Sequence, residues 1–376
     1  MEEEKKKYDL KKVNFISIPA LPTFNEIFQR SAWVYYGANN LMPNYLIDQY
    51  NNCSIHKAVI TTKVELINGD DIICQKKPLV TIMPVNGKEI LGEVFKKCSL
   101  DYVLFGGYAL NIIWSKDKKS IAEIYHLDFS KVRSGKVNED DEVDTYYYSS
   151  DWTNIRANKP EAYPVFNQNN AAPSQILYYK DYSPNNNYYP IPQYSGGLMA
   201  INIDIQIKNF HNNNLANGFT PSLFINFNNG IPGEEEKNTI TKALEEQYGG
   251  TNNGGRPVIN FSESKELSPE ITQIGTNASD NYYSTLYDDI NRSILSAHRV
   301  SSAELFGVAT SGKLGGSDEI IQHSEYFRNV VIKPYQSDLL RVFDKVMSMK
   351  YEEVIKLEIK PLTIITLLDK TTTNTK

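Results

Sequence analysis

The chain carries only three cysteines in 376 residues, Cys53, Cys74 and Cys98. They are odd in number and no two share a C-x-x-C spacing, so they predict neither a disulfide framework nor a zinc site. A reducing compartment is the expectation that follows. Histidines number five, none four residues from another and none set beside a serine or cysteine in a triad-like order. Metal ligation and imidazole catalysis are therefore not expected. No run approaches the ~18 apolar residues of a membrane helix. The opening Met-Glu-Glu-Glu-Lys-Lys-Lys leads into no apolar stretch of the kind a signal peptide needs. These absences predict a soluble, cytoplasmically made protein with no membrane partner.

A basic excess is missing too. Formal net charge is −6, with 39 Lys and Arg against 45 Asp and Glu. That excludes a chain-wide basic footprint for gripping nucleic acid, so any contact with DNA has to be local or able to slip. What is abundant is tyrosine, 25 of them, together with asparagine runs such as Asn212-Asn213-Asn214. The tyrosines predict a large half-buried, hydrogen-bonding interface. The length allows two or three modules with a real core.

A helical period runs through S-I-H-K-A-V-I-T-T-K-V-E-L-I-N-G, with Ser54 as its cap and Gly69 as its stop. A second helix from Glu89 to Phe105 closes at Gly106-Gly107. Residues 108–114 and 121–127 read as paired strands, and further strands alternate with loops as far as Tyr194. The acidic stretch 138–144 reads as a solvated turn, and Pro190-Ile191-Pro192 marks a boundary. The fold class is α+β.

A single long helix is predicted from Leu198 to about Leu215, carrying Leu198, Ile201, Ile205 and Ile207 and stopped by Gly218. Next comes a small β-α-β unit: strand 222–227, a helix from Pro232 to Tyr248, the turn 249–255 and strand 256–261. Another long helix spans about Asp280 to Val300. A third, from Ser317 to Met349, bends near Pro334, and strands at 354–359 and 362–367 close the chain. Two long helices that bracket one small α/β unit describe a stalk with a head on its end.

Between the last two helices stands G-V-A-T-S-G-K-L, Gly307 to Leu314, which fits the phosphate-cradling P-loop in seven of eight positions. Leu314 replaces the Ser or Thr that ligates magnesium. The preceding residues continue a helical pattern where a P-loop follows a buried strand. An NTPase using Gly307 to Lys313 is therefore the weaker alternative. A loop with Gly307, Gly312, Gly315 and Gly316 is suited to approaching something closely without gripping it.

Several segments resemble, in order, the phage portal proteins of the HK97-like type, as in phages of Bacteroidetes. They are Trp33 to Pro43 with Tyr50, Ser54 and His56-Lys57-Ala58; Leu104 to Ala109; Asn217-Gly218-Phe219 with Ser222 to Ile225; Tyr248 to Gly255; and Ser296 to Gly307. In the last, His298-Arg299 stands where the family's motif usually has Phe-Gly, and Ser301-Ser302 where it has Pro-Pro. The resemblance covers about residues 30 to 350.

It implies a wing over 1–194, stem helix 1 over 195–218, a clip over 219–266 and stem helix 2 over 267–306. A tunnel loop would span 307–317 and the wing helix with closing strands 318–376, leaving a crown minimal or absent. It implies no enzyme, cofactor or metal, but a dodecameric ring in the virion, assembled in the host cytoplasm. Double-stranded DNA would pass through it, and the large terminase, major capsid protein and a head–tail adaptor would be its partners. Thr310, Ser311, Gly312, Lys313, Gly315, Gly316 and Ser317 would then line the channel, with Lys313 a thin ring of positive charge. Glu234, Glu235, Glu236 and Lys237 start the clip helix, where the acids complement the helix dipole and a docking surface is the second reading. His298-Arg299 is expected at a stem-to-wing joint. A head–tail adaptor ring or a secreted surface-binding module are the remaining rivals.

Overall fold

Helix α1 (Met42–Asn52) and helix α2 (Ser54–Asn68) are parted by the single residue Cys53. Apolar Val59, Ile60, Val64 and Ile67 recur at helical spacing and are buried, so α2 presents one continuous inner face. Gly69 ends it with φ +62, and a Cβ there would lie 2.2 Å from the carbonyl oxygen of Lys360. Only glycine fits that close approach. Ser54 does not cap the helix as the sequence predicts. Cys53 occupies the cap position, and the Ser54 hydroxyl accepts a hydrogen bond from Lys208 at 3.1 Å.

The computed structural model describes residues 22–169, 172–217, 224–227, 232–240, 258–261, 280–306 and 317–362. Strands β1 (Glu26–Phe28) and β2 (Val34–Tyr36) form a hairpin. After β3 (Asp71–Ile73) and the short α3 (Leu79–Ile82), helix α4 (Leu91–Phe105) ends, as the sequence predicts, at Gly106. The expected strand pair follows as β4 (Gly107–Trp114) and β5 (Ile121–Leu127). Strand β9 (Ser174–Lys180) flanks β4 on its other side, giving an antiparallel sheet in the order β5-β4-β9. A second antiparallel sheet joins β6 (Val132–Ser134), β7 (Thr145–Tyr148) and β8 (Glu161–Pro164). This is the α+β class that the sequence indicates.

The tyrosines correct one expectation, because many of them are core. Tyr36, Tyr108, Tyr189 and Tyr194 are buried, and each of three spends its hydroxyl on a backbone carbonyl: Tyr36 on Pro190 at 2.7 Å, Tyr189 on Val34 at 2.5 Å, Tyr194 on Leu104 at 2.7 Å. A satisfied hydroxyl lets a large ring enter the interior. Tyr36 stacks on Tyr189 at 4.2 Å between centroids. Beside them Arg133 is wholly buried. It donates to Asn40 Oδ1 and to the carbonyls of Asn40, Ser130 and Val132 at 2.7–2.9 Å, with its guanidinium over the Trp152 ring.

The long helices are α5 (Leu198–Asn217) and α7 (Asp280–Ala297). Between them lie β10 (Phe224–Phe227), the helical residues 234–240 (α6) and β11 (Val258–Phe261). β10 and β11 pair in parallel, as a β-α-β unit requires. Gly218, the turn 249–255 and the remainder of the predicted 232–248 helix lie outside the described residues.

The predicted single helix from Ser317 is two helices, α8 (Ser317–Phe327) and α9 (Lys333–Tyr351), joined by a π-helical turn at Arg328–Ile332. Pro334 is the second residue of α9, directly after the π turn; having no N–H, it cannot extend the run of i→i−4 bonds there. The strand expected at 354–359 shrinks to β12 (Glu358–Lys360), which pairs with β3. Side chains of α9 take the backbone amides just before it: Ser348 Oγ accepts from Ile355 N at 2.9 Å and Asp344 Oδ1 from Leu357 N at 2.8 Å. The strand expected at 362–367 is outside the described residues beyond Leu362.

Candidate functional site

Helices α5 and α7 pack against each other, and both reach the N-terminal module, α5 through α1 and α7 through α2. On α5 the buried face is Leu198, Ile201 and, in the next turn, Asp204. The predicted stripe of Leu198, Ile201, Ile205 and Ile207 is thus corrected: Ile205 and Ile207 are only partly covered and a carboxylate takes the inner position. Asp204 is tolerated there because Lys208, one turn on, donates to its Oδ2 at 2.7 Å. Its Oδ1 is buried without a partner. Cys53 lies beside it, and burial pushes that thiol up to about 12, so it stays an inert thiol.

On α7, Ile290 and Ile294 are buried, and the next residue at that spacing is His298, also buried. The helix then closes in a Schellman turn: Arg299 N donates to Ser296 O and Val300 N to Leu295 O, both at 2.9 Å, with Arg299 left-handed at φ +59. This is the position where the resembling motif has glycine. Arg299 keeps the turn at a steric cost that glycine avoids.

His298 meets a residue from 242 positions upstream. Its Nε2 lies 2.8 Å from Nδ1 of His56, and its Nδ1 lies 3.5 Å from Nζ of Lys63. Tyr194 stacks on the His298 ring at 5.0 Å and meets His56 edge-on at 4.6 Å. Burial drives both imidazoles down, His56 to about 3 and His298 well below its ordinary value, with the Lys63 ammonium adding to each. Burial and then Arg299 bring Lys63 down to about 7. His298 and Arg299 lie where the end of α7 meets α2. The pairing with His56 was not legible, although Ile290, Ile294 and His298 at four-residue intervals signalled a buried imidazole.

Downstream, Ala303–Phe306 form a 3₁₀ turn, and Phe306 is buried edge-on against Phe327 of α8 at 5.3 Å. Phe306 and Phe327 therefore tie together the two sides of the glycine-rich segment. Residues 307–316, with Thr310, Ser311, Gly312, Lys313, Gly315 and Gly316, lie outside the described residues, and Ser317 is the first residue of α8. What leads into Gly307 is a helix end and a 3₁₀ turn, where a P-loop follows a strand.

In α6, Glu234, Glu235 and Glu236 are exposed and Lys237 half-buried, with Lys237 Nζ 2.8 Å from Glu234. That contact holds the Glu234 carboxyl below its usual range. Pro232 and Gly233 precede the first turn, so the acids sit where the helix dipole favours them. Among the described residues no group of three or more His, Cys, Asp or Glu is placed to hold a metal ion, and no helix is long and apolar enough to cross a membrane.

Residues 67–344 match the family model of the phage portal protein. The chain belongs to the phage portal protein family. The match starts at the end of α2 and takes in both three-stranded sheets, both long helices and most of α9. Two solved structures share the portal's fold. The neck of a native gene transfer agent (GTA) particle, computed with C12 symmetry, has a chain 15% identical to the portal. The alignment covers 88% of this chain and 87% of that one at a TM-score of 0.59. The virion of a native gene transfer agent particle has one that is also 15% identical, covering 85% and 83% at 0.56. An uncharacterized protein of Rickettsia bellii (strain RML369-C) is 28% identical over 88 residues. That alignment spans 23% of the portal and 23% of the relative. The family is a structural one, and the portal reading takes precedence over an NTPase.

Proposed function

We propose that this portal forms the ring-shaped DNA channel at the unique vertex of a tailed-phage head, through which a terminase packages the genome and to which a tail connector attaches. One observation carries the reading. Two long helices rooted side by side on a mixed module flank a small parallel β-α-β unit, in a chain whose residues 67–344 match the portal family. The division follows the expected boundaries, with 1–194 as wing, 195–218 and 267–306 as stem, 219–266 as clip, 307–317 as tunnel loop and 318–376 as wing helix and closing strands.

A ring of identical chains closes through head-to-tail contacts that complete a rotation. The likeness to a neck computed with C12 symmetry supports twelve copies. A channel through which DNA slides needs few fixed cations, because each phosphate contact adds a salt-dependent grip. The net charge of −6 agrees with this. Lys313 in the tunnel loop would supply one narrow cationic band. Glu234, Glu235, Glu236 and Lys237 are exposed or half-exposed on the clip and form its docking surface for terminase or adaptor. The ring would be assembled in the host cytoplasm and carried in the virion against the major capsid protein, without cofactor or catalysis of its own.

Mass photometry with negative-stain imaging tests the ring directly. Twelve copies of 42.8 kDa should give particles of roughly 514 kDa with a central hole. Complementation then tests the elements. Reversing Glu234, Glu235 and Glu236 to lysine should leave rings intact and block packaging, and Lys313→Ala should weaken packaging or retention of DNA. Normal packaging by both variants would remove these roles.

A further inference from the structure

His56, Lys63 and His298 form a buried chain of three basic groups where α2 meets the end of α7. Each link is a hydrogen-bond contact, and one end is open: Nε2 of His56 is buried with no partner. Two neutral imidazoles satisfy this geometry with a single shared proton, one ring donating and the other accepting. A second proton would leave two nitrogens facing each other as donors at 2.8 Å.

Among the described residues no free countercharge acts on the pair. Lys63 itself comes from α2, Arg299 from the turn after α7, Tyr194 from the segment before α5 and Tyr335 from α9. From α5 come Asp204 and Lys208, across Cys53, but that carboxylate is engaged by Lys208 and faces the thiol. Among the described residues the other charges that act on the pair, Lys63 and, through it, Arg299, are positive. Burying an imidazolium there costs heavily, so added protons have to be met by opening the contact.

We propose that the Lys63–His298–His56 chain is an acid-sensitive latch between α2 and the end of α7, closed while both rings are neutral and released by proton uptake. The latch is a property of the single chain and stands whether or not the chain forms a ring. Both imidazoles are held below the value they have when solvated, which is about 6.5. The open state therefore binds more protons, and the closed state is favoured fully above that value and lost progressively as pH falls below it. Lys63, also depressed, acts in the same direction from about pH 10 down to about 7. Each histidine contributes up to about tenfold per pH unit to the opening equilibrium.

Deuterium exchange at the imidazole C2 position, followed by mass spectrometry on the full chain, reads each histidine without mutation. The pH at which a ring's exchange falls to half its alkaline plateau gives that ring's pKa. His56 and His298 should titrate well below the ~6.5 of a solvated imidazole, and the acid that protonates them should at the same time remove amide protection from α2 and the last turn of α7. Titration of either ring near 6.5, with α2 still protected, would sink the proposal. A His56→Gln, His298→Gln double variant should lose most of the pH dependence of amide opening in those segments. A double variant that keeps the wild-type dependence overturns the latch, and if it fails to fold the C2 measurement on the native chain still decides.

Discussion

Gly197 and Ala297 are in contact at the root of the two long helices: a Cβ built on Gly197 would lie 2.5 Å from the Cβ of Ala297. Since α7 and the turn before α5 pack at this point, the spacing of the two helices is set by the absence of one methyl group. Gly197→Ala should destabilise the fold by about 1–3 kcal/mol through overpacking. Adding Ala297→Gly should recover part of the loss, less the ~1 kcal/mol cost of glycine in a helix. Chemical denaturation of both variants checks the coupling, and additive losses would show that the two residues do not oppose each other.

Arg299 holds a left-handed conformation at φ +59, with its side chain exposed. Glycine adopts that backbone without steric penalty. Arg299→Gly should therefore stabilise the chain by up to about 1 kcal/mol, whereas Arg299→Val should lose at least that much. Thermal unfolding of the two variants beside the native protein provides the measurement.

Arg133, wholly buried, lends its guanidinium to four acceptors. Arg133→Met fills the space but strands three carbonyls and leaves Asn40 Oδ1 with the Tyr36 N–H alone, an expected cost on the order of 3 kcal/mol. Arg133→Lys should recover little, because an ammonium cannot reproduce the planar fork. Urea midpoints of the two variants that match the native one would refute this anchoring role.

Local chemistry made much of the fold legible. The periodicity ending at Gly69 and at Gly106 marked α2 and α4, alternation marked β4 and β5, and the glycine-rich connection marked a β-α-β unit. What escaped were the partnerships. β3 pairs with β12 across almost the whole described chain, and neither three-residue strand has a pattern of its own. His56 and His298 each looked isolated, because contact across 242 positions leaves no local trace. Apolar periodicity ranks carboxylates outside, so it gives Asp204 no inner place, while Lys208 one turn away is what permits it inside. The tyrosines were assigned to an interface because a hydroxyl suggests water, yet backbone carbonyls satisfy it equally well.

The π-helical turn at Arg328–Ile332 works as a one-residue phase shifter. Each residue advances an α-helix by about 100°, and a π turn takes up one residue more than an α turn. Everything before it is thus rotated by about that angle relative to an unbroken helix. Downstream, α9 locks Tyr335, Leu339, Phe343, Val346 and Met347 into the core, so its azimuth is fixed. The compass bearing on which the faces of α8 meet the rest of the chain is then chosen by a single supernumerary residue, and deleting it would swing that bearing by more than a quarter of a circle while leaving every side chain of α9 in place.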